Sequence, residues 1–413
     1  MLFQIQNGGK IIIYLLYQLI FTIGKILLTG IHHIIYFCLY FMVYRFSGAH
    51  EKPTADSAYD PAMKHQNNIF TRMLRYYESI IFDNYSAGIN PETKKLLRMD
   101  LPIMTVGPNN TINKAMFMQL TNNKRRPVVL KKFFADSTAC TKWSSDFFAQ
   151  TYGETKLLTI AKNDNFKGSA YTPFNQKLDC QYIKLSDSIR NMVNATDKAT
   201  YINNVTEIFS LHPELIDDLD LDRLESIDTS INSKSWLKVN LFMGGPRTGS
   251  SLHCAAGGNF FFNVAGQKKW VLVDPSYSNC MHATPEKAFS FVISGHDIET
   301  LEEFGTHNAV IPKYEVILEP GDMLYIPPWW WHYVHNETDF TIGCAIRDHT
   351  VYWQSFLNNP TYFLMSPYAY SMNPIILKIV ELWAGRDYMV NTSMQSDKYI
   401  VESLTGEKLT TEI

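Results

Sequence analysis

The feature that most constrains this chain is a series of short alternating runs, cut by Gly and Pro, between Leu237 and Ile346. Leu237, Val239, Leu241 and Met243 alternate with more polar neighbours, the period of a half-buried strand, and Gly244-Gly-Pro-Arg-Thr-Gly249 ends that run. Asn259 to Ala265 and Lys268 to Val273 follow, split at Gly266-Gln267 in the manner of a hairpin. Glu315 to Leu318, Met323 to Ile326 and Phe340 to Ile346 complete the series. Many short strands with this punctuation fold as a sandwich or a barrel.

Two strands carry a histidine each. His253 lies in Gly249-Ser-Ser-Leu-His-Cys-Ala255, and His332 in Pro327-Pro-Trp-Trp-Trp-His332. Two imidazoles brought from distant strands to the inside of a barrel are two-thirds of a non-haem iron site, whose usual form adds one carboxylate. The usual position for that carboxylate is two residues after the first histidine, and here it is Ala255. Lys268 shares strand parity with Trp270 and Leu272, so its side chain is expected to point as theirs do.

The remainder is less specific. The 413 residues allow a sizeable core with appendages, and a net charge of −3 gives no sign of a nucleic-acid partner. Six scattered cysteines (Cys38, Cys140, Cys180, Cys254, Cys280, Cys344) form no CxxC and argue against a cysteine zinc site. Asn-x-Ser/Thr at Asn84, Asn109, Asn194, Asn204, Asn336 and Asn391 is weak support for a secretory location. Helical spacing of apolar residues in 67–98 suggests helices packed on the main domain. Arg126 to Leu130 and Lys156 to Ala161 read as strands, and Trp143 to Gly153 as a helix. The acidic stretch Glu214 to Asp228 fails as an EF-hand, with Arg223 where the turn needs Gly, and reads as a solvated helix face. Lys124-Arg125-Arg126 reads as a solvated loop end, 276–312 as a long insertion, and the tail after 351 as helical, including Pro374 to Trp383.

Residues 11–44 are almost wholly apolar, with only Lys25, His32 and His33 ionisable. About 20 apolar residues suffice to span a bilayer. The expectation is one tilted transmembrane helix, with a helical hairpin as the alternative, in an organelle membrane: the mitochondrial inner membrane or the secretory pathway. His32 and His33 read as helix-packing or interfacial residues, with a membrane haem or metal site as the other reading.

These motifs resemble the JmjC and cupin-like 2-oxoglutarate oxygenases, particularly protein hydroxylases of the asparaginyl-hydroxylase type, over roughly residues 100 to 350. The resemblance rests on Arg126-Pro-Val-Val-Leu130, Trp143…Tyr152-Gly153, Gly244-Gly-Pro246, the step of 15 from His253 to Lys268 and the context of His332. It implies a mainly β fold with flanking helices, a double-stranded β-helix (jelly-roll barrel). The divisions are a membrane segment 1–45, linker and helices 46–98, barrel 99–350 and helical extension 351–413. It implies Fe(II) on His253 and His332, and 2-oxoglutarate on Lys268, Ser250 and Asn259. With Ala255 in the carboxylate position, three readings stand: a site without catalysis on a surviving scaffold, iron held by two histidines plus water or an anion as in related halogenases, or a ligand supplied from elsewhere. Cys254 is adjacent to His253, but alternation turns it to the opposite side. The function expected is a membrane-anchored, catalytically degenerate accessory or binding subunit among other protein subunits. The alternative is an Fe(II)/2-oxoglutarate oxygenase with an altered metal site.

Overall fold

The structure is a computed structural model that describes residues 30–36, 38–39, 42, 69, 72–74, 76–77, 98–99, 101–106, 111–160, 180–194, 200–228, 239–281, 283–286, 291–294, 311–348 and 350–366. Eight strands build its centre: β1 (Val239–Gly244), β2 (Gly249–Ala255), β3 (Gly258–Ala265), β4 (Lys268–Val273), β5 (Lys313–Leu318), β6 (Met323–Ile326), β7 (Trp331–Asn336) and β8 (Thr341–Asp348). They lie in two facing sheets, alternating along the chain except that β4 and β5 share one. One sheet has the central order β5-β4-β7-β2 and the other β6-β3-β8-β1, every neighbouring pair antiparallel. This is the double-stranded β-helix expected.

Shorter strands extend both sheets. Arg98–Met99 flanks β5, while Phe291–Ile293 and then Thr284–Glu286 continue beyond β2. Ile103–Thr105 and Val128–Lys131 flank β6, while Tyr201–Val205, Lys156–Ile160 and Cys180–Lys184 continue beyond β1.

The turn at Gly266-Gln267 corrects the hairpin expectation. β3 pairs with β6 and β8, whereas β4 pairs with β5 and β7, so the chain crosses here from one sheet to the other. Gly266 has φ +69°, a left-handed conformation that costs glycine nothing. A side chain there would strike the Phe340 carbonyl. Period-2 patterning marks strands but not the sheet each one joins, because both sheets bury one face inside the barrel.

Three apolar clusters follow from that alternation. Phe261, Trp270, Leu272, Leu324, Trp330 and Val334 lie between the sheets. Phe260, Phe262, Leu241, Met243 and Tyr325 turn outward beneath the helices before β1. Leu252, Cys254, Trp329 and Trp331 turn outward from the other sheet, where Tyr362 of the C-terminal helix Pro360–Met365 meets them.

Tyr36, Leu39 and Leu74 complete this last cluster, with Tyr36 only 1% exposed. This corrects the membrane reading. Among the described residues no helix is long and apolar enough to cross a membrane. Of the described part of 11–44, Tyr36 and Leu39 pack on the barrel, while Ile31, Ile34 and Ile35 stay exposed. His32 meets Tyr77 at 2.6 Å and Asn279 at 2.7 Å, and His33 meets Thr361 at 2.7 Å. Burial lowers the pKa of both, His33 to about 4 with a further push from His32. The other residues of 11–44, and Pro374 to Trp383, lie outside the described residues.

Three polar expectations also change. Lys124 is 4% exposed and paired with Asp228 and Asp348, so it is a buried tie and not a solvated loop end. In the acidic stretch, Asp228 is buried in that tie, and Asp218 accepts from Trp143 Nε1 at 2.9 Å and pairs with Lys142. Buried acids persist where such partners replace water. Asn336 is 1% exposed inside the barrel, which excludes it as a glycan acceptor.

Candidate functional site

His332 and His253 are direct cross-strand partners on β7 and β2, with ring centroids 4.1 Å apart. Both are buried between the sheets. Each Nδ1–H donates to the carbonyl two residues earlier, His253 to Ser251 at 2.7 Å and His332 to Trp330 at 2.9 Å. A carbonyl only accepts, so this bond makes Nε2 of each neutral ring the acceptor nitrogen. Burial lowers the His253 pKa well below the usual range, with further contributions from His332 and Arg347. Burial and, after it, Arg347 lower His332 to about 4. Both rings are therefore neutral near pH 7.

A cavity is lined by Ser250, His253, Asn259, Lys268, His332 and Arg347 together with Tyr201, Phe242, Phe261, Trp270 and Val334. All five residues singled out in the sequence thus meet in one place. Simple alternation does not allow this, since Ser250 and His253 have opposite parity. The pairing of β2 with β7 slips between His332 and Val334, where two steps on β7 face three on β2. Such an irregularity re-aims side chains. It turns both Ser250 and His253 inward.

The cavity has layers. His253, His332, Asn259 and Arg347 form the outer one, since Asn259 and Arg347 are paired on β3 and β8. Trp270, Val334, Phe261 and Ser250 form the middle one. Lys268 lies deepest, opposite Asn336 on β7. Its Nζ donates to Asn336 Oδ1 at 2.6 Å and to Thr341 Oγ1 at 2.9 Å, both neutral acceptors. Burial lowers its pKa to about 7. Among the described residues no carboxylate lines the cavity, and two cationic side chains do. Two buried polar atoms at its wall, Asn259 Oδ1 and Trp270 Nε1, have no hydrogen-bond partner among the described residues.

Arg347 and Phe291 were not singled out from the sequence. Arg347 donates to Asn204 Oδ1 at 2.7 Å and reaches the cavity from β8. Phe291 is the cross-strand partner of Ala255, and its ring centroid lies 4.9 Å from that of His253. Cys254 faces the outer cluster, and burial raises its pKa well above the usual thiol value.

The donor set decides how an iron ion fits. Among the described residues no group of three His, Cys, Asp or Glu is placed to hold a metal. Two imidazoles alone fall short of the two-histidine, one-carboxylate set. The described residues therefore do not supply the full donor set of an oxygenase iron, although the deep Lys268 end suits a carboxylate.

A double-stranded β-helix with paired inward histidines defines the chain as a cupin-type barrel of JmjC character. The chain belongs to the cupin-like domain family, whose sequence profile matches residues 114–353, more than half of its length. Among known proteins it is similar to tRNA wybutosine-synthesizing protein 4 of Gibberella zeae, 27% identical over 245 residues, covering 57% of this chain and 22% of that protein. It is 23% identical over 288 residues to tRNA wybutosine-synthesizing protein 5 of Danio rerio, covering 66% of this chain and 80% of that one. Lysine-specific demethylase JMJ30 of Arabidopsis thaliana is 25% identical over 213 residues, covering 51% of this chain and 47% of the demethylase. The chain thus spans about a fifth of the first of these relatives and about half of the last. The family generally uses Fe(II) and 2-oxoglutarate.

Proposed function

We propose that this cupin-like protein works as a binding module and not as an oxygenase. Lys268, Ser250 and Asn259 hold a small anionic ligand in the barrel, and the protein serves as an accessory or binding subunit beside other proteins. One observation carries this reading. On the strand that bears His253, the next residue of the same parity is Ala255, and the Phe291 ring stands across from it. Neither a methyl group nor a phenyl ring donates to iron, and ordered surroundings do not replace a lost ligand. The arginine that lines the same layer adds positive charge where a divalent cation would sit.

The test is metal content. The full chain, incubated anaerobically with Fe(II) or Mn(II) and dialysed, is expected to retain far less than one ion per chain. Retention of one ion per chain would overturn the binding-module reading. A second reading, an Fe(II)/2-oxoglutarate oxygenase with an altered metal site, has one observation in its favour. Both imidazoles are held in the tautomer that metal-ligating histidines use. The same measurement separates the two.

A further inference from the structure

We infer that the outward face of two helical segments near the N-terminus docks on the surface of an anionic lipid bilayer. Residues 30–36, 38 and 39 are helical, as are 69, 72–74, 76 and 77. Tyr36, Leu39 and Leu74 hold both segments on the barrel. The His32 ring stacks on that of Tyr77, which sets the two side by side. Their other side is apolar too. Ile31, Ile34 and Ile35 on the first segment, and Ile69, Met73 and Tyr76 on the second, range from 40% (Ile35) to 70% (Tyr76) exposed. Ile31, Ile34, Ile35 and Cys38 follow the i, i+3, i+4, i+7 spacing of one helix face. A helix apolar on every side is one that is covered on every side. Exposed apolar patches of this kind mark protein or membrane contact sites.

The sequence around the face points to its occupant. Residues 11–29 immediately precede the first segment and carry Lys25 as their one charged residue. No Asp or Glu precedes Glu51, whereas Lys10, Lys25 and Arg45 do, so this end of the chain is cationic. On the second segment Arg72 is exposed between Ile69 and Met73, and Arg72 and Arg75 outnumber the acid Glu78. Isoleucine beside scattered Lys and Arg, with acids left out, matches a leaflet whose headgroups are negative. Apolar side chains enter the acyl boundary and the cations meet the headgroups. A protein partner fits less well, because docking surfaces between proteins are about as polar as the rest of the surface. The contact is with one leaflet: among the described residues no helix is long and apolar enough to cross a membrane.

The experiment is flotation of the full chain with vesicles of phosphatidylcholine alone, or of phosphatidylcholine and phosphatidylserine in equal parts. Binding is expected to be at least tenfold tighter to the vesicles that hold phosphatidylserine. The combined variant Ile31→Ser, Ile34→Ser and Ile35→Ser changes exposed positions alone. It is expected to weaken that binding tenfold or more, with circular dichroism matching the unaltered chain. A second measurement, on the unaltered chain, decides even if the variant misfolds. The rate at which maleimide modifies the exposed Cys38, read by peptide mass, is expected to fall tenfold or more when phosphatidylserine vesicles are added. No flotation, equal flotation with both vesicles, a folded variant that floats as well as the unaltered chain, or a Cys38 rate that vesicles leave unchanged each overturns the inference. Cys38 protection that grows with protein concentration and needs no vesicle assigns the face to a second copy and overturns it too.

Discussion

Lys268 is an ammonium enclosed in a barrel, held among the described residues by an amide oxygen and a hydroxyl. Its pKa falls from 10.5 to about 7 through burial. Between those values the unfolded chain keeps a proton that the folded chain has released, so stability rises with pH, by up to about 1.4 kcal/mol per pH unit. Lys268→Met removes that slope. Denaturant unfolding at the two ends of this window is expected to show the wild type gaining on the variant as pH rises. Parallel profiles would mean the lysine keeps an ordinary pKa. Ala255 carries a second prediction at this scale. Ala255→Asp alone sets a carboxylate opposite the Phe291 ring and is expected to cost about 1–3 kcal/mol. With Phe291→Ala added, the carboxylate has room beside His253, and the double variant is expected to retain Fe(II) or Mn(II) through dialysis. A double variant that stays metal-free would show that the histidine pair is not preserved for metal. Lys268, His253 and His332 were legible in the sequence because spacing and turn punctuation mark them. Arg347 was not, because its strand reads as apolar alternation and only the pairing with Asn259 brings it to the cavity.

At the scale of elements, parity alone misleads in two places. Ser250 reaches the site only through the slip between β2 and β7, and Gly266 hands the chain to the opposite sheet. The strand Phe291–Ile293 lies in a stretch that read as an insertion, yet it delivers the ring beside His253. The strands that were read lie within a residue or two of their observed bounds, since local alternation is a local signal, whereas Ile103–Thr105, Cys180–Lys184 and Tyr201–Val205 were not read at all. The N-terminal segment is the larger miss. Its apolar residues fit a bilayer or a protein face equally well, and only the fold supplies the face. Tyr36 is buried against the β2 and β7 side of the barrel, with Leu252, Trp329 and Trp331 in the same cluster. Tyr36→Ala is expected to cost about 3 kcal/mol or more in urea unfolding, as other buried aromatic truncations do. An unchanged midpoint would mean that the segment does not hold the barrel.

For the molecule as a whole, the histidines set the acid limit. His253, His332 and His33 all have pKa values lowered by burial, the last two to about 4. Such groups give full stability above the unfolded value near 6.5. That stability is lost as pH falls below it, because the unfolded chain takes protons that the folded chain refuses. Unfolding midpoints are therefore expected to drop between pH 6.5 and about 4, and less steeply for His33→Gln; a flat profile would contradict the buried neutral assignment. The barrel is that of the cupin-like domain family, and a shared fold does not carry activity with it. The most direct test is succinate release from 2-oxoglutarate by the full chain with Fe(II), ascorbate and oxygen. No release above the protein-free background is expected. Catalytic, iron-dependent succinate formation by the unaltered protein would contradict the binding-module reading.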